Sequence, residues 1–128
     1  MKKPDKLREI FKKEDTALIV VDAQVDFCSS QGKLAQVLGI DVSGVEKVIP
    51  NLNAFISYCR ENGIKVFWAR QELAKEKMLE SQKNRLLGEN RDAWYVIPGT
   101  PGSQWHDTIL TPLETEPVIT KYNYCAFK

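Results

Sequence analysis

Hydrophobic positions along this chain follow two patterns, and each predicts a different element. Leu18-Ile19-Val20-Val21 is an unbroken apolar run that ends in Asp22. No polar residue alternates with it, so the run predicts a strand over Thr16–Asp22 buried on both faces, as in a parallel sheet covered by helices. Leu52, Phe55, Ile56 and Cys59 recur instead at helical spacing and predict a core-facing stripe. Pro50 suits the first turn of that helix, and Asn62-Gly63 suits its end. Ile64 to Ala69 then predicts a second strand, and Glu116 to Lys121 a third. Strand, helix and strand at this spacing form a right-handed βαβ unit with parallel strands.

The remaining segments are read from punctuation and charge. Pro4-Asp5 opens a short helix with Leu7, Ile10 and Phe11 on one face. Ser29 to Gly32 is a polar loop suited to passing over a pocket mouth. Glu72 to Glu89 is highly charged, with Leu73, Met78, Leu79, Leu86 and Leu87 scattered through it, and predicts a partly helical lid over the sheet's end. Pro98 to Gly102 is a rigid turn. The expected fold class is therefore α/β: a three-layer, doubly wound, Rossmann-like parallel sheet with its first three strands present.

Composition narrows the picture. The chain has 128 residues, enough for one domain with one core. A net charge of +1 supplies no electrostatic case for nucleic acid or an anionic membrane as partner. No segment approaches the ~18 apolar residues of a membrane-crossing helix, and the N-terminus lacks the apolar centre of a signal peptide. Cys28, Cys59 and Cys125 are widely spaced and odd in number, which points to reduced thiols and a cytoplasmic protein. With His106 the one histidine, no metal and no cofactor are expected.

Chemistry concentrates at the strand ends. Asp22 follows the first strand and Lys121 ends the third, and ligands of open α/β sheets bind beyond the carboxyl ends of the strands. If the third strand lies close to the first, carboxylate and ammonium face one crevice. The ammonium then stabilises a developing oxyanion, or the pair is a salt bridge at the sheet rim.

These residues resemble a family. Ala17 to Phe27 (ALIVVDAQVDF) with Gly32-Lys33-Leu34 looks like the opening motif of the isochorismatase-like cysteine hydrolases. Ile64 to Gln71 (IKVFWARQ) is similar to that family's second strand, Pro98 to Gly102 to its G-T-P-G turn, and Val118 to Phe127 (VITKYNYCAF) to its strand-plus-lysine motif. The resemblance implies an Asp–Lys–Cys triad in which Asp22 takes the thiol proton and Lys121 supports the thiolate and the charged intermediate. Members that cleave a vinyl ether rely mainly on the aspartate as general acid. The substrate class implied is a small amide or a related C–N or ether compound.

The family's nucleophilic cysteine lies downstream of these motifs. Cys125 aligns with a serine of the pattern and Cys28 lies in the first loop, so both read as small buried or semi-buried residues. The expectation is a domain over 1–128 that is C-terminally truncated. A catalytically inactive fragment, or a binding and assembly module of the same fold, is the alternative. Aspartate-nucleophile phosphatases place their two aspartates two residues apart, which Asp22 and Asp26 do not match.

Candidate substrate-binding residues are Gln24, Phe27, Trp68 and Trp94. Gln24 orients a substrate or bonds within the loop, and for Trp68 core packing is the competing role. Asp26 caps the following turn or pairs with a basic residue. Arg70, Arg85 and Arg91 are candidate partners of a substrate carboxylate or simple surface charges. Glu72 alone could not hold a transition metal. An apolar strand left at a sheet edge invites another chain, so a homo-oligomer is expected alongside the small-molecule substrate.

Overall fold

Backbone hydrogen bonding assembles the three predicted strands into one parallel sheet of order β1-β2-β3: β1 Ala17–Val21, β2 Lys65–Gln71 and β3 Val118–Lys121. This computed structural model describes residues 11–87 and 94–127. The predicted helix at Pro4 to Ile10, Glu89, Arg91 and the side chains of Arg85, Leu86 and Leu87 lie outside the described residues. Helices α1 (Val25–Cys28), α2 (Lys33–Gln36) and α3 (Ser43–Glu61) separate β1 from β2, and α4 (Glu80–Leu87) follows β2.

The connection from β1 through α3 to β2 is the expected βαβ unit, but α3 begins earlier than Pro50. Asp41 Oδ1 accepts the Ser43 N–H at 2.9 Å and anchors the helix start there, which leaves Pro50 inside the helix. The core-facing stripe shifts accordingly. Ile49, Ile56 and Cys59 are buried with Leu52 packed against them, while Phe55 turns outward and stays 52% exposed. Gly63 closes the helix at φ +70°, the left-handed conformation that glycine adopts without a Cβ penalty.

The sheet is covered unequally. Val20, Val66 and Trp68 on one face pack against α3 and against Ile109, Trp105 and Leu110 from the long segment before β3. Trp68 and Trp105 meet edge to face at 5.2 Å. The opposite face is open along β1 among the described residues, with Ile19 58% and Val21 55% exposed. The expectation that β1 is buried on both faces is thus met on one. A second cluster lies past the strand ends, where Leu73, Met78 and Val96 are buried with Phe27, Trp94 and Tyr95 against them. The predicted lid is strapped down there: Lys77 Nζ bonds the Tyr122 hydroxyl at 3.0 Å, and the Leu79 N–H donates to Asn123 Oδ1 at 3.3 Å. No described helix is long and apolar enough to cross a membrane.

Candidate active site at the strand ends

Asp22 is the first residue beyond β1, and its backbone is strained. Its φ is +53°, a left-handed conformation that costs a non-glycine residue free energy and persists where the surroundings impose it. Those surroundings are backbone hydrogen bonds. The Asp22 N–H donates to the Ala69 carbonyl at 2.8 Å, and its own carbonyl accepts the Gln24 N–H at 2.8 Å.

Lys121 reaches this aspartate across β2. β3 pairs with β2 and not with β1, in a register that sets Lys121 beside Gln71. The ammonium lies 2.6 Å from Asp22 Oδ2 and 3.3 Å from Gln71 Oε1. The lysine side chain is only 8% exposed, against 27% for Asp22, so the pair sits at a partly shielded mouth. Two polar atoms of this trio are buried without a partner, Asp22 Oδ1 and Gln71 Nε2. Unpaired buried polar atoms cost free energy, and a ligand that pairs them recovers it.

Gln71 had no place among the candidates read from sequence. Its signal was its spacing: two residues past Ala69, on the same face of a strand that continues further than the apolar run suggests. Gln24 is what holds it. Gln24 Oε1 accepts the Gln71 N–H at 2.8 Å, and Nε2 donates to the carbonyls of Gln71 and Ser103, both at 2.8 Å. Fully buried and fully engaged, Gln24 staples three chain segments and presents no polar atom to a ligand.

Asp26 is a second staple. Its Oδ1 accepts the Lys33 N–H at the start of α2, and its Oδ2 accepts the Val96 N–H at 2.6 Å. That bond holds Val96 at φ +45°, a costly conformation for a β-branched residue. A Cβ on Gly102 would collide with the Asp26 carboxylate, and one on Gly32 with the Val25 carbonyl. The Asp26 carboxylate therefore demands Gly102, and the backbone of Val25 and Asp26 demands Gly32.

The aromatic candidates separate. Phe27 packs edge to face on Tyr95 at 5.4 Å in the second cluster. Trp94 joins that cluster and lines a cavity of about 580 Å³ with Val25, Asp26, Gln31 and Ile97. Trp68 lies in the main core with no exposed surface, and its indole N–H donates to Glu116 at 2.7 Å. It therefore has nothing to offer a substrate. Arg70 pairs with Glu72 at 3.0 Å, donates to the Ser103 carbonyl at 2.9 Å and lies over Trp105. Among the described residues no group of three or more His, Cys, Asp or Glu side chains is arranged to hold a metal.

Cys28 is the thiol nearest the pair, with Sγ 3.6 Å from the Asp22 carbonyl oxygen. Burial, reinforced by the Asp22 charge, pushes its pKa up, which disfavours the reactive thiolate. Cys59 is buried in the core and Cys125 is exposed.

The comparisons with known proteins identify the family. The isochorismatase domain model matches residues 16–128. A protein from Arabidopsis thaliana named as a probable inactive nicotinamidase is 28% identical over 88% of this chain and 55% of its own length. A ureidoacrylate amidohydrolase from Serratia proteamaculans is 43% identical over 45% of this chain and 23% of its own length. Among solved structures, a cysteine hydrolase from Pseudomonas syringae pv. phaseolicola superposes with a TM-score of 0.68 at 20% identity, over 91% of this chain and 51% of that one. The chain spans about half the length of the relative and of the structure that it matches most fully. With the domain model matched from the start of β1 to Lys128, the chain belongs to the isochorismatase family.

Proposed function

We propose that this chain carries the proton-transfer and charge-stabilising part of a small-molecule hydrolase site, with Asp22 as the proton-transfer group and Lys121 as the cation. The observation that carries this reading is the 2.6 Å Asp22–Lys121 pair at the strand ends, beside two buried polar atoms that lack partners. Asp22 Oδ2 is held by the lysine, which leaves Oδ1 for a proton on substrate or nucleophile. Lys121, steadied by Gln71, faces the position where an oxyanion would develop. The substrate class is a small amide or a related C–N or ether compound, in keeping with the nicotinamidase and amidohydrolase names among the relatives. The thiol that completes the family's triad is none of Cys28, Cys59 and Cys125.

A panel of small amides and vinyl ethers, followed by ammonia release or by loss of substrate absorbance, tests this. In a longer chain that supplies this thiol, Asp22→Asn and Lys121→Ala are each expected to lower kcat/KM by about 10³-fold, with melting temperatures close to the parent's. Activity kept within tenfold by either variant removes that residue from the mechanism.

A second reading is a binding module without turnover. It is favoured by the raised pKa of the nearby Cys28 thiol and by the inactive nicotinamidase among the relatives. Saturable binding of the same compounds with no turnover by the parent chain would establish it.

A further inference from the structure

Parallel pairing of β1 with β2 follows one ladder as far as Asp22 and then breaks. The Asp22 N–H donates to the Ala69 carbonyl, so even-numbered residues of β1 and odd-numbered residues of β2 turn their backbone groups toward each other. The next two bonds of that ladder would run from the Gln71 N–H to the Asp22 carbonyl and from the Gln24 N–H to the Gln71 carbonyl. Neither forms. The Gln24 N–H donates instead to the Asp22 carbonyl at 2.8 Å, an i to i+2 turn that pairs the two displaced groups with each other.

Gln71 keeps both of its bonds all the same, because the Gln24 side chain supplies them. Oε1 accepts the Gln71 N–H and Nε2 donates to the Gln71 carbonyl, both at 2.8 Å. A carboxamide offers the same acceptor and donor as a peptide group. The side chain therefore stands in for the backbone that has turned away.

This replacement decides which way Asp22 faces. Side chains along a strand alternate between the two faces of the sheet. Val20 packs on the α3 face, so an extended Asp22 would send its carboxylate there too. Trp68 is on that face as well, and Gln71, three residues on, is on the other, in register with Lys121. The left-handed φ of +53° at Asp22 breaks the alternation and brings Oδ2 to 2.6 Å from the Lys121 ammonium.

We propose that Gln24 is a positioning residue, which keeps Asp22 on the Lys121 side of the sheet by occupying the two ladder bonds that would draw it back into β1. The proposal rests on the role assigned above to the Asp22–Lys121 pair and names the group that assembles it. A left-handed aspartate is strained, and return to the ladder would relieve the strain. Gln24, with no exposed surface, blocks that return. Its removal orphans nothing once Asp22 has rejoined the ladder, since the Ser103 carbonyl keeps its bond from Arg70 at 2.9 Å.

NMR couplings across hydrogen bonds, measured on the isotope-labelled 128-residue chain, test the proposal. They need no turnover, so a failure here is distinct from a failure of Asp22 in catalysis. In the parent, the Gln71 amide nitrogen is expected to couple to the Gln24 side-chain carbonyl carbon. A nuclear Overhauser contact should join the Lys121 ε-methylene to the Asp22 β-methylene. Gln24→Met keeps the length of the side chain without its carboxamide. It should move the coupling to the Asp22 backbone carbonyl and abolish the Lys121–Asp22 contact. Lys121→Met asks whether the ion pair, and not Gln24, holds the turn, and it decides the matter where Gln24→Met does not fold. With Gln24 intact, the coupling should stay on its side chain and Asp22 should keep left-handed backbone shifts. A parent coupling to the Asp22 carbonyl overturns the proposal. So does a Gln24→Met chain that retains the Lys121–Asp22 contact, or a Lys121→Met chain in which Asp22 rejoins the ladder.

Discussion

Glu116–Arg60 and Asp22–Lys121 are both ion pairs at the rim of the same sheet, and they differ in what each leaves unpaired. Arg60 grips Glu116 with two nitrogens, at 2.7 and 2.8 Å. The carboxylate also accepts the Trp68 indole N–H at 2.7 Å and the Leu113 N–H at 3.1 Å, and the spare Arg60 N–H donates to the Thr111 carbonyl. Nothing is left to offer a ligand, and the Arg60 guanidinium, aided by Trp68, holds the Glu116 pKa at about 2. The Asp22–Lys121 pair is joined by one short bond on a strained backbone, with Oδ1 of the aspartate unused. A saturated ion pair fixes the packing of Trp68 and the segment before β3. An unsaturated one keeps free energy available for binding.

Breaking the saturated pair is expected to cost the most. Glu116→Ala leaves Arg60 without its carboxylate and the Trp68 N–H buried without an acceptor, a loss of about 3 kcal/mol in urea unfolding. A cost under ~1 kcal/mol would place Glu116 with the weak surface pairs and erase the contrast. The pH dependence sharpens the same point. A carboxyl whose folded pKa lies below its unfolded value of 4.5 contributes stability above that value. The contribution disappears as pH falls from 4.5 toward the folded value of about 2. The stability gap between the parent and Glu116→Gln should therefore be constant above pH 4.5 and close across that window. A gap that does not change with pH would mean that the glutamate acts through shape and not through charge.

The contrast between the pairs was half legible in the sequence. Asp22 and Lys121 stood out because an apolar run that ends abruptly in a charge marks a strand end, whatever covers the strand. The Glu116 role was hidden, since its partners lie 48 and 56 residues away on β2 and α3 and no local pattern records them. Gln71 was missed because the apolar run stops at Ala69, although hydrogen bonds to β3 carry the strand two residues further. Pro50 misplaced the start of α3 because the true anchor, Asp41 on the Ser43 N–H, sits beside a helix-weakening Gly44. Apolar composition also promised two covered faces for β1. It encodes only that the strand is fit for burial, while the covering must come from elsewhere in the chain or from a partner.

The smallest expected effect concerns the unsaturated pair. Asparagine tolerates left-handed backbone better than most residues, so Asp22→Asn keeps the φ of +53° and still offers Lys121 an oxygen. Its stability cost should stay within about 1 kcal/mol, a third of that for Glu116→Ala. The charge it removes is one of the two influences that push the Cys28 thiol pKa up, and burial, the larger one, remains. Cys28 should therefore react with iodoacetamide a few-fold faster in Asp22→Asn than in the parent near pH 8, while the exposed Cys125 keeps its rate as an internal reference. Mass spectrometry of the labelled chain resolves the two sites. An unchanged ratio would mean that the Asp22 charge is spent entirely on Lys121, and the two ion pairs would then differ in geometry alone.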